Sequence, residues 1–375
     1  MGGRQFGQYR LETLIGVGGM GEVFRAFDTQ RYRSVAVKLL LDRFCNDGAY
    51  QRRFRHESYV AAGLREPHII PIHDFGEMEG RLFIDMRLVD GESIYAALNR
   101  HGPIAPTRAV HLIRQVAEAL DAAHADGLVH RDIKPSNVLV TASDFVYVVD
   151  FGVAHAMGAT STALTRSGAT VGTLDYMAPE RFQNRRIDGR VDVYSLSCLL
   201  YECLTGSHPF PGYDLPAMMY AHVFSPPPQP SKINPNVPME FDAVITKGMA
   251  KDPDARFSTA VELADAARAA LSGSPSTVSP RHRFVAGTEE MSSSPAGPSR
   301  SPFHPSADRQ QTGAAPETIL WNFPEDYSGH ESSAQHATPT DAPTRTNPVH
   351  VADARPQPPS GAVNPTNGAN PTRGQ

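Results

Sequence analysis

The chain has 375 residues, of which 40% are hydrophobic, and a formal net charge of −5 at pH 7. This length is compatible with two or three domains, or with one large unit that carries an extension. The mild acidity argues against a nucleic-acid-binding protein, because such proteins usually carry a strongly basic domain or surface stripe.

The cysteines and the N-terminus bear on the cellular compartment. The three cysteines, Cys45, Cys198 and Cys203, are sparse and follow no disulfide or zinc spacing, which indicates free thiols in a reducing environment. The first residues lack the apolar segment of a signal peptide. Phe6 stands where a myristoylation motif needs serine or threonine, so that modification is rejected.

No stretch of the chain reaches the roughly 18 uninterrupted apolar residues that a membrane span needs. The nearest candidate, residues 191–204, contains Asp192 and Glu202 and is predicted to be a buried helix. Together with the cysteine pattern, this predicts a cytoplasmic protein without a membrane span.

The first part of the chain, from Tyr9 to about Val89, is predicted to form strands with one helix between them. β-Branched and apolar residues recur in short runs that are separated by glycine or charged residues. The predicted strands are residues 10–12, 21–26, 34–40 and 81–89, and the predicted helix is residues 52–64.

A glycine-rich turn separates the first two predicted strands. Glycines in such a turn let backbone N–H groups approach phosphate oxygens without a side chain in the way. The spacing alone is weak evidence, but here the turn lies between strands, whereas a dinucleotide-binding loop would open a helix. The residues of the turn are Gly16, Val17, Gly18, Gly19, Met20 and Gly21.

Lys38 lies near the end of the predicted buried strand at residues 34–40. A lysine at such a position is costly unless its ammonium group meets anions. We expect it to contact the α- and β-phosphates of a nucleotide and to be held by a carboxylate from the following helix. Glu57 is the candidate for that carboxylate.

From Gly91 onward helical patterns dominate. Pro106 opens a helix with apolar residues at helical spacing, and Thr259 begins a capping pattern before a final helix that ends at Leu271. A small β-rich lobe followed by a larger helical lobe predicts a ligand cleft at their junction.

The segment His130–Asn137 contains what phosphoryl transfer needs. Asp132 can orient a substrate hydroxyl and accept its proton, Lys134 can neutralise the transferring phosphate, and Asn137 can bind a metal ion. Asp150, in an Asp-Phe-Gly tripeptide after an apolar strand, offers a second metal ligand.

These motifs, in this order, resemble those of the eukaryotic-like (Hanks-type) serine/threonine protein kinases, and most of all the actinobacterial Pkn-type branch. The resemblance runs from about Tyr9 to Leu271. It implies an α+β, bilobal protein kinase fold, with a small lobe at about residues 9–89 and a helical lobe at about residues 90–271. It further implies ATP-dependent phosphorylation of serine and threonine hydroxyls on protein substrates in signalling, with Mg²⁺ as the metal and Mn²⁺ as a substitute.

The resemblance also assigns roles around the nucleotide. It places Met86 at the gatekeeper position and Val89 in the hinge that binds adenine. It identifies Lys134 with the serine/threonine form of the catalytic loop and Thr173 with the threonine that contacts Asp132 and Lys134 beside the substrate. The residues that would enclose the adenine ring are Val23, Ala36 and Leu139.

Further roles implied by the resemblance are structural or regulatory. Glu180 should pair with Arg256, and Asp192 should anchor the backbone of the catalytic loop. Arg131 should receive a phosphate from the segment between Asp150 and Glu180. The expected sites of this activating autophosphorylation are Thr165 first, then Thr170 and Thr162.

The composition changes after Leu271, where residues 272–375 are rich in proline, serine, threonine, alanine and glycine. Such a segment buries too little apolar surface to offset its chain entropy, so a disordered tail is predicted. Residues 318–323 form a short apolar cluster that is either a chance feature or a docking element for partners.

Two alternatives to an active protein kinase are weighed at this stage. A pseudokinase usually lacks the lysine or one of the aspartates of the motif set, which are all present here. A small-molecule kinase of related fold, such as an aminoglycoside phosphotransferase, lacks the segment at residues 172–180. A third hypothesis, compatible with an active kinase, is that the tail is the main interaction platform and that catalysis serves chiefly to modify it. Homodimerisation is known among related kinases, but no residue here supports it.

Overall fold

The structure, a computed structural model, describes residues 3–151, 174–183, 187–212 and 214–273. A smaller, mainly β lobe is followed along the chain by a larger, mainly helical lobe. The α+β, bilobal architecture therefore agrees with the sequence-based prediction.

The smaller lobe is built on one antiparallel six-stranded sheet, with the strand order β1-β2-β3-β4-β6-β5. Its strands are β1 (Arg4–Phe6), β2 (Tyr9–Gly18), β3 (Gly21–Asp28), β4 (Arg33–Leu40), β5 (Ile72–Met78) and β6 (Arg81–Arg87). Between β4 and β5 lie helices α1 (Asp42–Cys45) and α2 (Gly48–Gly63).

Strand β1 extends the sheet beyond the predicted boundary at Tyr9. Phe6 pairs with Tyr9 in the antiparallel register, and both side chains are fully buried. The ring of Phe6 lies edge-on to that of Phe83, with 6.0 Å between centroids. Aromatic burial of this kind outweighs the weak pattern of a three-residue strand, so the folded part includes residues before Tyr9.

Helix α2 begins at Gly48 rather than at the predicted residue 52, because an aspartate caps it. The side chain of Asp47 accepts hydrogen bonds from the backbone N–H groups of Ala49 and Tyr50, at 2.8 and 3.1 Å. These bonds satisfy donors that the first turn of a helix leaves unpaired.

The larger lobe contains a small antiparallel sheet and a set of helices. The sheet has the order β7-β8-β9, with β7 (Gly91–Ser93), β8 (Val138–Thr141) and β9 (Val146–Val148). The helices are α3 (Ile94–His101), α4 (Pro106–Ala125), α5 (Pro179–Phe182), α6 (Arg190–Thr205), α7 (Leu215–Phe224), α8 (Pro230–Ile233), α9 (Glu240–Gly248) and α10 (Ala260–Leu271). In the part of the chain described, no helix combines the length and apolarity that crossing a membrane requires.

Helix α6 forms the centre of this lobe, and nearly all of its residues are buried, as predicted. Its close packing on α9 depends on a glycine: a Cβ atom at Gly248 would lie 2.1 Å from Oγ of Ser197. That hydroxyl donates to the carbonyl oxygen of Val193 at 2.7 Å. A serine on α6 is therefore accommodated by the missing side chain on α9.

Backbone hydrogen bonds join the two lobes behind the cleft. The N–H of Ile70 donates to the carbonyl oxygen of Val148 at 3.0 Å. The N–H of Val148 donates to the carbonyl oxygen of His68 at 2.7 Å. Strand β9 is thereby fixed to the chain that enters β5. Asp150, two residues after β9, is held at the junction of the lobes.

Candidate active site

The glycine-rich turn joins β2 to β3 at the edge of the cleft. Gly18 pairs with Gly21 in the antiparallel register. A Cβ atom at Gly21 would lie 2.1 Å from the carbonyl oxygen of Leu39, so only glycine fits there. At Gly18 the equivalent space is open. The turn therefore presents backbone without obstruction, as phosphate binding requires.

An apolar cluster lies under this turn. It contains the residues predicted to enclose adenine, the gatekeeper and the hinge residue in one contiguous group. Its buried members are Ile15, Val23, Ala36, Ile70, Met86, Val89, Leu139 and Val149. Sequence reasoning missed Ile15, although its position directly before the glycine-rich turn is a usable signal.

Lys38 contacts Asp150, the candidate metal ligand, instead of Glu57, its expected partner. Its Nζ lies 2.8 Å from Oδ1 of Asp150, and both side chains are largely buried. Burial alone would raise the pKa of Asp150, but the charge and hydrogen bond of Lys38 outweigh it and hold that pKa below its ordinary value. Asp150 is therefore an ionised carboxylate in the cleft.

The expected pair between Lys38 and Glu57 is not formed in this structure. Oε1 of Glu57 lies 3.8 Å from Nη1 of Arg131, the residue predicted to receive a phosphate. Among the residues that the structure describes, Oε2 of Glu57 and Nε of Arg131 are buried and have no hydrogen-bond partner. Burial raises the pKa of Glu57, which Arg131 only partly offsets. The ammonium group of Lys38 is neutralised instead by Asp150, 2.8 Å away.

The predicted catalytic residues of the loop lie within hydrogen-bond distance of one another. Nζ of Lys134 is 3.0 Å from Oδ2 of Asp132. The side-chain amide of Asn137 donates to the same oxygen at 3.0 Å and to the carbonyl oxygen of Asp132 at 2.8 Å. The carboxylate of Asp132 is thus oriented by a cation and an amide.

His130 supports Asp132 from behind. Its Nε2 lies 2.9 Å from the carbonyl oxygen of Val149, and its Nδ1 accepts from the N–H of Asp132 at 3.2 Å. Because Nδ1 accepts, the proton of the neutral ring resides on Nε2. The imidazole ring also packs against Phe151, with 4.6 Å between centroids.

Asp192 anchors the loop, as the resemblance implied. Its carboxylate accepts from the N–H of His130 at 2.8 Å and from that of Arg131 at 2.7 Å. His124, on α4, donates to it from Nε2 at 2.7 Å. Burial alone would raise the pKa of Asp192, but His124 outweighs it and the pKa is lowered. The role of His124 was not foreseen, because its partner is distant in the sequence.

Glu180 and Arg256 form the expected ion pair. Two parallel hydrogen bonds of 2.7 Å join the guanidinium nitrogens to the two carboxylate oxygens. Both side chains are buried, and the guanidinium also lies over the ring of Tyr194, 4.9 Å from its centroid. This bidentate pair fixes helix α5 to the end of the helical lobe.

Several predicted residues lie outside the described part of the chain. They are Gly152, Thr162, Thr165, Thr170 and Thr173, together with the apolar cluster at residues 318–323. The predictions made for these residues stay predictions.

Comparisons with known proteins agree with this geometry. Residues 9–267 match the protein kinase domain family. The chain is 52% identical over 269 residues to the serine/threonine-protein kinase PknE of Mycobacterium tuberculosis. That alignment covers 72% of this chain and 47% of PknE, so the chain spans about half the length of this curated relative.

Two solved structures are similar to this fold. The PknI kinase domain of Mycobacterium tuberculosis superposes with a TM-score of 0.60 at 30% identity, covering 72% of this chain and 99% of that one. Rad53 residues 1–466 in complex with AMP-PNP gives a TM-score of 0.57 at 25% identity, covering 69% of this chain and 64% of that one.

Proposed function

Because the chain belongs to the protein kinase family, we propose that it transfers the γ-phosphoryl group of ATP to serine and threonine hydroxyls of protein substrates. The observation that carries this proposal is a pair of neighbouring ion pairs. Nζ of Lys38 lies 2.8 Å from Asp150, Nζ of Lys134 lies 3.0 Å from Asp132, and the charge of Lys134 also acts on Asp150. The name of PknE supports the preference for serine and threonine.

The catalytic loop supplies the proton acceptor. Asp132 orients the attacking hydroxyl and takes its proton on a carboxylate oxygen, while the amide of Asn137 keeps that carboxylate in place. Lys134 carries a positive charge beside the transferring group. In this reaction the protein contributes mainly positioning and charge neutralisation.

Asn137 and Asp150 would bind the divalent metal ion. An amide oxygen and an ionised carboxylate are hard oxygen ligands that suit Mg²⁺. The N–H of Val149 donates to the carbonyl oxygen of Asn137 at 3.0 Å. This bond keeps Asp150, the residue after Val149, close to Asn137. When bound, Mg²⁺, or Mn²⁺ in its place, neutralises charge on the phosphates.

ATP binding is supported by the open glycine-rich turn and the apolar cluster beneath it. Rad53, a structural relative, was solved with the nucleotide analogue AMP-PNP. With ATP bound in the cleft of this protein, the glycine-rich turn would cover the phosphates and Lys38 would contact them. The adenine ring would lie between Val23, Ala36 and Leu139.

The ion pairs of the cleft favour a regulated enzyme. Glu57 is engaged with Arg131, and Lys38 is engaged with Asp150. A phosphothreonine in the segment after Asp150 would carry close to two negative charges and compete with Glu57 for Arg131. Glu57 would then be free to approach Lys38.

Replacing Thr165 and Thr170 together by alanine is expected to lower the activity toward a protein substrate roughly ten-fold or more. The reason is that a hydrogen bond to a charged group contributes about 1.5–3 kcal/mol, and about 1.4 kcal/mol corresponds to a factor of ten. The measurement is the initial rate of phosphate incorporation by each variant. The matched control is Thr246→Ala, an exposed threonine on α9. Equal rates in all three proteins would refute activation through these threonines.

The experiment that tests the proposed function is autophosphorylation of the purified protein with labelled ATP and Mg²⁺ or Mn²⁺. The wild type should incorporate label at serine or threonine, and Lys38→Met and Asp150→Asn should not. Lys232→Met, at an exposed lysine of α8, is the control and should behave as the wild type. Measurable ATP binding without any label, with or without added protein substrate, would identify a pseudokinase instead.

The setting of this activity also remains a proposal. The free cysteines Cys45, Cys198 and Cys203 support a reducing, cytoplasmic location. Protein substrates bearing serine or threonine are the expected partners, and residues 318–323 are proposed as a docking element for others.

A further inference from the structure

Arg181 is a buried arginine next to the catalytic loop that no motif identified. It lies on α5 and is only 7% exposed. Its neighbour Glu180 is fully engaged by Arg256. Within the described ranges, no carboxylate oxygen lies close enough to the Arg181 guanidinium, 4.0 Å or less, to form an ion pair. Burial lowers the pKa of Arg181 to about 10, in spite of the opposing charges of Asp132 and Asp192.

The one hydrogen bond described for this guanidinium runs to the catalytic loop. Nη1 of Arg181 donates to the carbonyl oxygen of Arg131. Arg131 has a φ of 66°, a left-handed conformation that is strained for a side-chain-bearing residue. On the other side of the same residue, Asp192 accepts from its N–H at 2.7 Å. The residue before Asp132 is thus held from both sides.

A buried charge without a direct counter-ion destabilises a fold, so its presence here needs a reason other than stability. The charged groups that act on Arg181 are Asp132, Asp192, Arg131 and Glu180. Of these, Asp132 exerts the largest charge effect on Arg181, and the carboxylate of Asp132 also contacts Lys134 and Asn137. The guanidinium therefore supplies a fixed positive potential to the catalytic carboxylate.

We propose that Arg181 is a positioning residue for Asp132. It holds the strained backbone of Arg131, the residue that precedes Asp132, and thereby fixes the position of the Asp132 carboxylate. This effect acts through Asp132. The inference rests on the proposed phosphoryl transfer, because the function of Asp132 does.

The test compares Arg181→Met and Arg181→Lys in the full-length protein. For Arg181→Met we expect kcat to fall about 10–100-fold, the loss typical of a misplaced catalytic group, with the KM for ATP within about two-fold. Arg181→Lys keeps a donor but not the guanidinium geometry. It should therefore recover part of the kcat that Arg181→Met loses.

The control is Arg190→Gln, since this arginine contacts the surface residues Asp188 and Asp254 instead of the catalytic loop. Melting temperatures establish that each variant is folded. A folded Arg181→Met protein with unchanged kcat would overturn the inference, as would identical kcat values of the lysine and methionine variants.

A second measurement separates this inference from the proposed function, because it needs no activity. Hydrogen–deuterium exchange at the amides of His130 and Arg131 should be faster in Arg181→Met than in the wild type or in Arg190→Gln. A wild type that phosphorylates nothing would refute the proposed function alone. Unchanged exchange in Arg181→Met would refute the proposal that Arg181 holds the catalytic loop in position.

Discussion

Replacement of Asp132 by asparagine is expected to lower the rate of protein phosphorylation by about 10²–10⁴-fold, the usual contribution of a positioned proton acceptor. Asparagine has nearly the same shape, so packing around the loop should persist. Its amide, however, cannot accept the hydroxyl proton, and it loses the charge that Lys134 holds at 3.0 Å. Steady-state kinetics with a serine-containing peptide measure the effect, with kcat falling and the KM for ATP nearly unchanged.

The matched control is Asp144→Asn. Asp144 is a surface aspartate that pairs with Arg108 at 2.8 Å and has a φ of 58°. Asparagine also tolerates that conformation, so this variant should retain wild-type kinetics. If Asp132→Asn kept more than about a tenth of the wild-type rate, Asp132 would not be the proton acceptor.

Replacement of Arg256 by methionine is expected to lower the free energy of unfolding by about 3–5 kcal/mol, because it leaves the buried carboxylate of Glu180 without its partner. The arginine side chain is fully buried, and it also donates to the carbonyl oxygens of Ala250 and Arg190, at 2.7 and 2.9 Å. Each of these acceptors would lose a donor. Equilibrium unfolding in urea measures the change.

The comparison variant is Arg268→Met on α10, whose side chain is 72% exposed and pairs with Asp265. Its effect should stay within about 0.5 kcal/mol, as usual for surface sites. The double variant Glu180→Gln, Arg256→Met should be less destabilised than the sum of the single variants, since no buried charge is then left alone. Equal effects of Arg256→Met and Arg268→Met would contradict the importance of this pair.

The sequence identified most of the candidate site because its chemistry lies in short motifs. Asp132, Lys134 and Asn137 fall within one loop, and the structure places Lys134 and Asn137 each 3.0 Å from the carboxylate of Asp132. The resemblance to Pkn-type kinases is confirmed by the similarity to PknE and PknI. It also supplied two long-range contacts that the structure contains, namely the Glu180–Arg256 pair and the anchoring by Asp192.

The boundaries of elements were less predictable. The strand β1 has only one apolar residue, Phe6, so its sequence is too short to show the alternation that predicts a strand. The early start of α2 depends on the cap by Asp47, a side chain that serves equally well in a turn. In both cases a tertiary or capping interaction outweighs the local pattern.

By itself, the sequence determined the fold class, the order of the motifs and the residues that are proposed to perform phosphoryl transfer. Those properties depend on residue type and on spacing along the chain. Only the tertiary structure decided which polar groups meet. Lys38 pairs with Asp150, Glu57 pairs with Arg131, and Arg181 donates to the carbonyl oxygen of Arg131. The physical reason is that the energy of an ion pair or hydrogen bond depends on distance and burial, and the packing of segments far apart in the sequence sets both.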